Sequence, residues 1–133
     1  MIQSLSLTNF KCFEDQELHL RGLTLLAGLN SSGKSTLIQA LLLLRQSYLE
    51  SLLPQVGLTL NGKLAQLGSA KDVLFEDADE DEIGLDLADS LPASLSLRLK
   101  YQEQSDVLTL RKAEHTENIW TSSLFGEDRK SVV

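Results

Sequence analysis

The chain has 133 residues, 42% of them hydrophobic, with 12 Lys and Arg against 19 Asp and Glu. That length holds one domain with a real core, and the net charge of -7 argues against a protein whose whole surface embraces a phosphate backbone. Nine of the 19 acids fall between Asp72 and Asp89, so the rest of the chain carries ten acids against 12 bases and leaves room for a local basic face. The single cysteine, Cys12, excludes an internal disulfide and a Cys-rich zinc module and fits a reducing compartment, with the cytoplasm as the expected location. The longest purely aliphatic run, Ala40 to Leu44, falls far short of the roughly 18 residues that span a bilayer. The first ten residues have no basic segment ahead of an apolar block, so they do not read as a signal peptide.

In chain order, residues 2–8 and 17–21 alternate partially (Leu5 and Leu7; Leu18 and Leu20) around a polar stretch at Glu14 to Gln16, which predicts a hairpin turning there. Residues 23–27, Leu-Thr-Leu-Leu-Ala ending at a glycine, read as a strand buried on both faces. From Lys34 to about Leu53 helix formers run unbroken until Pro54, with Leu37, Ile38, Leu41, Leu44, Tyr48 and Leu52 on a broad face and Leu42 and Leu43 extending it, which predicts a largely buried helix. Beyond Pro54, residues 56–60 and 63–67 flank Asn61-Gly62, the pair favoured in a type I′ hairpin turn. Three strands are predicted where Ile83, Leu85 and Leu87, then Leu95, Leu97 and Leu99, then Leu108 and Leu110 alternate, with a further strand at residues 119–124. His19, His115 and Trp120 have no partners at catalytic or metal spacing and read as ordinary strand residues. The expected fold is α+β around an α/β P-loop core, with an antiparallel β-subdomain.

Between the buried strand and the helix lies Gly28-Leu29-Asn30-Ser31-Ser32-Gly33-Lys34-Ser35, followed by Thr36, which matches G-x-x-x-x-G-K-[ST], the Walker A pattern, at every fixed position. The glycines permit the backbone to turn successive N–H groups inward around a phosphate, and the following helix adds its N-terminal positive charge. Lys34 then brings a full charge to β- and γ-phosphates, Ser35 a hydroxyl for Mg²⁺, and Thr36 a hydroxyl for an α-phosphate. Random composition produces the four fixed positions in about one chain in a few hundred of this length, and the flanking strand and helix are what the motif needs.

Leu7-Thr8-Asn9-Phe10-Lys11-Cys12-Phe13, residues 23–27 and the stretch from Gly28 to Leu37 together resemble the opening of the SMC/RecF/OLD-like branch of ABC-type ATPases, over about residues 1–48. Residues 60–68 and 72–75 look more loosely like a subgroup of bacterial AAA family ATPases of this branch, some of them in phage defence. The resemblance implies ATP and Mg²⁺ as ligands, Asn30 near the γ-phosphate and the attacking water, and Lys11, Cys12 and Phe13 against adenine and ribose. Core packing is the alternative for Phe10 and Phe13, and solvation for Lys11. The resemblance also implies a glutamine linking Mg²⁺ to a helical subdomain, for which Gln66 is the candidate beside Gln39, Gln46, Gln102 and Gln104. Ser31 stands where many ABC proteins carry glycine.

An ATPase of this branch also needs an apolar strand ending in Asp-Glu to hold Mg²⁺ and activate water, together with an L-S-G-G-type signature and a switch histidine. None of these occurs in the sequence; the nearest approach, Glu82-Ile83-Gly84-Leu85-Asp86, alternates and is followed by leucine. Residues 1–133 therefore read as the N-terminal lobe of a larger head (1–53 hairpin, P-loop and helix; 54–133 mainly antiparallel strands), with no catalytic residue assigned in it. The complete head would hydrolyse ATP as a homodimer closed on two nucleotides, with a DNA or nuclease partner and no membrane. The acidic run at residues 76–82 fails the EF-hand pattern at its glycine and final glutamate positions, and Asp81-Glu82-Ile83-Gly84 lacks the buried strand and guanine reader of a GTPase, so both read as a solvated loop. Rival readings are a P-loop small-molecule kinase, whose lid arginines would have to cluster, and a non-catalytic nucleotide-binding regulatory module.

Overall fold

The computed structural model describes residues 2–19, 31–78, 80–89, 93–102, 104–121 and 123–126. Among them β1 (Ile2–Phe10) and β2 (Phe13–His19) form the expected hairpin. Its turn is at Lys11 and Cys12, because Phe10 pairs with Phe13. Glu14 to Gln16 are instead exposed residues of β2, an edge strand, where charged side chains discourage pairing with another chain. The predicted strand at residues 23–27 lies outside the described residues, so the P-loop core is not part of the fold described here.

Helix α1 (Ser31–Leu49) starts within the glycine-rich motif and ends earlier than its leucines suggest. The stop is a Schellman arrangement: Leu52 N–H donates to Ser47 O (2.8 Å) and Ser51 N–H to Tyr48 O (3.0 Å), with Ser51 in the left-handed region at φ 64°. Leu37, Ala40, Leu43 and Leu44 are buried, but Ile38 and Leu49 are each 46% exposed. The broad buried face predicted to include Ile38 is therefore narrower. The described elements cover one side of a helix that is apolar nearly all round.

Strand β3 (Gly57–Thr59) pairs with β6 (Val107–His115) and not with residues 63–67. The predicted Asn61-Gly62 turn is thus not formed: Gly62 N–H donates to Ala65 O (2.8 Å), neither Asn61 nor Gly62 has positive φ, and one isolated bridge links Asn61 to Gln66. Gln46 of α1 explains the change. Its Nε2 donates to Thr59 O (2.9 Å) and Ala65 O (3.2 Å), while its Oε1 accepts from Leu64 N–H (3.1 Å) and Ala65 N–H (2.9 Å). Ser47 Oγ accepts Thr59 N–H (2.9 Å) beside it. The chain still reverses here, but through Gly62 to Ala65, with Leu67 N–H donating to Leu60 O (2.8 Å), and the helix holds that wider reversal. Gly57 lets β3 approach β6, since a Cβ there would meet Leu108 O at 2.0 Å.

Strands β4 (Glu82–Asp89), β5 (Ala93–Lys100) and β6 form the predicted meander. Among the described residues six strands make one antiparallel sheet in the order β2-β1-β4-β5-β6-β3. Its period-2 pattern sets Leu5 opposite Leu87 and Leu87 opposite Leu95, then Leu7 opposite Leu85 and Leu85 opposite Leu97. These rows share one core with the buried leucines of α1, each fully buried leucine contributing roughly 1.5–3 kcal/mol over an exposed one. The opposite face is polar, with Arg98 bridging Asp86 (3.1 Å) and Arg111 bridging Glu82 (3.0 Å).

Where a strand was expected at residues 119–124, the described residues form instead a 3₁₀ turn (Glu117–Thr121) and a short helix α2 (Ser123–Gly126). Aromatic packing draws this segment onto α1. Trp120 stacks on Tyr48 (centroids 5.0 Å, 3°), Phe125 meets both rings edge-on, and Arg45 donates to Leu124 O (2.6 Å). Trp120 is thus not a strand residue.

Candidate functional site

The second half of the sequence motif falls at the N-terminus of α1. Ser31, Ser32, Gly33 and Lys34 form its first turn, which contains no acidic residue, so nothing on the helix cancels the partial positive charge that its free N–H groups present. Gly28, Leu29 and Asn30 lie outside the described residues. Ser35 is exposed and Thr36, on the adjacent side, is 4% exposed. Of these two hydroxyl-bearing side chains of the motif, Ser35 is thus the one open to solvent.

The hairpin turn comes to the same end of the helix. Cys12 Sγ lies 3.5 Å from Thr36 Oγ1, within hydrogen-bond reach for sulfur. Lys11, Cys12 and Phe13 therefore stand next to the motif, with Lys11 and Phe13 half-buried and Cys12 exposed. Phe10 is fully buried and belongs to the core, so of the two phenylalanines Phe13 alone has a surface to offer. The turn is held from behind by Lys11 N–H donating to Val73 O (2.7 Å) and Phe75 N–H donating to Asn9 O (2.9 Å). Both Asn9 (φ 56°) and Lys11 (φ 52°) are in the left-handed region, where a residue with a Cβ pays about 1 kcal/mol or more. Lys11→Gly is expected to raise stability by about 1 kcal/mol in urea unfolding, because glycine adopts this φ without strain.

Gln66 is not brought to this end. It lines a cavity of about 700 Å³ with Gln46, Leu49, Glu50 and Leu64, beside the C-terminal half of α1. At 1.5 Å per residue Gln46 is about 16 Å along the axis from Ser35. The buried carboxylate Asp89 is also remote, paired in register with Ile2 at the opposite end of β1 from the turn. Among the described residues no group of three or more His, Cys, Asp and Glu side chains is placed to hold a metal. The element that sequence reading missed is the brace behind the turn, residues 69–75. Its signal was Ser69-x-x-Asp72, a capping pattern: Ser69 N–H (2.9 Å) and Oγ (3.2 Å) both donate to Asp72, holding that carboxyl below its ordinary range.

Against known families, a sequence profile described as AAA ATPase domain matches residues 1–131, nearly the whole chain. The chain belongs to the AAA ATPase domain family. This AAA ATPase domain is accordingly of the nucleotide-binding ATPase type, in a family that generally uses ATP and Mg²⁺ and often oligomerises. Neither the curated proteins nor the solved structures give a significant match. No helix among its described residues is long and apolar enough to cross a membrane.

Proposed function

We propose that this AAA ATPase domain binds Mg-ATP through a Walker A loop at residues 28–36, as the N-terminal lobe of a head of the SMC/RecF/OLD-like branch. The observation that carries the reading is the coincidence of a complete G-x-x-x-x-G-K-S motif with the start of a long helix free of acids in its first turn. Gly28 and Gly33 would let the loop turn its amides toward the β-phosphate, with Asn30, Ser31 and Ser32 between them and Asn30 near the γ-phosphate. Lys34 neutralises charge across the β- and γ-phosphates, and Thr36 meets the α-phosphate. Ser35 would hold Mg²⁺, which when bound spreads the negative charge of the phosphate oxygens. Lys11, Cys12 and Phe13, on the turn beside Thr36, border the nucleoside.

The lobe reading has its own support. Ile38 and Leu49 lie about three turns apart on the same side of α1, away from the described core, and a helix apolar on most sides fits between two layers. A further layer carrying the missing carboxylate would complete hydrolysis, in a head that dimerises around ATP and works in the cytoplasm on DNA or with a nuclease, in DNA maintenance or phage defence. Calorimetric titration with Mg-ATP, Mg-GTP and ATP in EDTA tests the reading. Binding that prefers ATP and weakens without Mg²⁺ supports it, with slow or absent turnover by these 133 residues. Equal binding of GTP, or phosphate transfer to an added acceptor, would favour a GTPase or kinase.

A further inference from the structure

We propose that Cys12 is a positioning residue of the nucleotide site, acting through the Thr36 hydroxyl, so that the β1–β2 turn and the first turns of α1 work as one unit. The inference rests on the nucleotide reading above and adds a residue to it. Thr36 is buried, and a buried hydroxyl needs a partner. The Cys12 thiol stands 3.5 Å from it, within hydrogen-bond reach. A threonine in a helix divides between two χ1 rotamers, one of which turns its hydroxyl back to the preceding carbonyls. The contact with the Cys12 thiol ties that hydroxyl to the side of the helix that meets the turn.

That placement is useful only if the turn itself is fixed, and a pair of backbone hydrogen bonds fixes it. Lys11 N–H is bound to Val73 O and Phe75 N–H to Asn9 O, which together make the Phe10–Leu74 bridge. Asn9 Nδ2 adds a hydrogen bond to Glu82 O (3.0 Å), tying the same corner to the start of β4. The brace behind them is anchored by fully buried Ala70 and Val73 and by Ala70 N–H on Ser105 O (2.8 Å). A hydroxyl held this way meets a phosphate without first losing rotamer freedom, so part of the ordering cost of binding is met in the free protein.

The test is a double-mutant cycle on the full chain, read as the Kd for Mg-ATP, with Cys12→Val, Thr36→Val and the pair. Each single change is expected to weaken binding about five- to tenfold, the scale of one neutral hydrogen bond. The pair should be no weaker than the worse single variant, and Cys12→Ser, which keeps a donor and acceptor, should recover most of the affinity. A role confined to stability would lower the melting temperature of the free protein without coupling the two sites in Kd. Multiplying effects in the pair, or a Kd unmoved by Cys12→Val, overturns the proposal while leaving the nucleotide reading intact. A wild-type chain that gives no heat with Mg-ATP overturns both.

Discussion

Replacing Lys34 with alanine is expected to weaken Mg-ATP binding roughly a hundredfold. A charge-assisted hydrogen bond lost from a phosphate costs up to about 3 kcal/mol, and each 1.4 kcal/mol is tenfold in Kd. The remaining loop amides and the head of α1 still attract an anion, so affinity should fall without vanishing. Lys34→Arg should recover only part of it, because the planar guanidinium does not replace a compact ammonium on a short reach. The check is calorimetry on the variant alongside its urea unfolding curve. An unchanged Kd would remove the ground for reading residues 28–36 as a phosphate loop.

The second large effect concerns stability and lies about 16 Å along the helix from the motif. Gln46→Leu should destabilise the protein by about 3 kcal/mol or more, since it leaves the buried Thr59 carbonyl, the Ala65 carbonyl and the N–H groups of Leu64 and Ala65 without their clamp. The midpoint of urea unfolding should drop by more than about 1 M. Gln46→Glu should be destabilising as well: the carboxylate keeps the acceptor for Leu64 and Ala65 but offers no N–H to the two carbonyls. A midpoint within error of wild type for both variants would mean that β3 does not depend on this residue. Gly62 bounds the same contact from the other side, where a Cβ would come within 2.7 Å of Gln46 Oε1.

The meander was legible because its signal is period 2 with leucine: Ile83, Leu85 and Leu87 face the core along β4, as Leu95, Leu97 and Leu99 do along β5, and no neighbour competes for them. The long helix was legible from its unbroken run of helix formers, although not its limits, since a Schellman stop at Ser51 involves a residue that carries no glycine signal. Local turn rules failed where distant groups took over the backbone. Asn61-Gly62 has the composition of a hairpin turn, yet Gln46 claims the hydrogen bonds on either side of it. The first hairpin turns at Lys11 and Cys12, against propensity, because Val73 and Leu74 hold it there. At the site, the motif announced itself through residue types at fixed spacing. The approach of Cys12 to Thr36 did not, because it depends on where a hairpin meets a helix, which no spacing along the chain encodes.

The stacking of Trp120 on Tyr48 gives the molecule an internal optical gauge. Trp120 is the sole indole of the chain, so all long-wavelength emission originates at the point where the segment after β6 clasps α1. Peeling that clasp away wets the ring and should red-shift its spectrum while far-ultraviolet dichroism, dominated by the sheet and helix, stays almost constant. Two spectrometers can then time separately the release of the C-terminal clasp and the loss of the scaffold on which it rests.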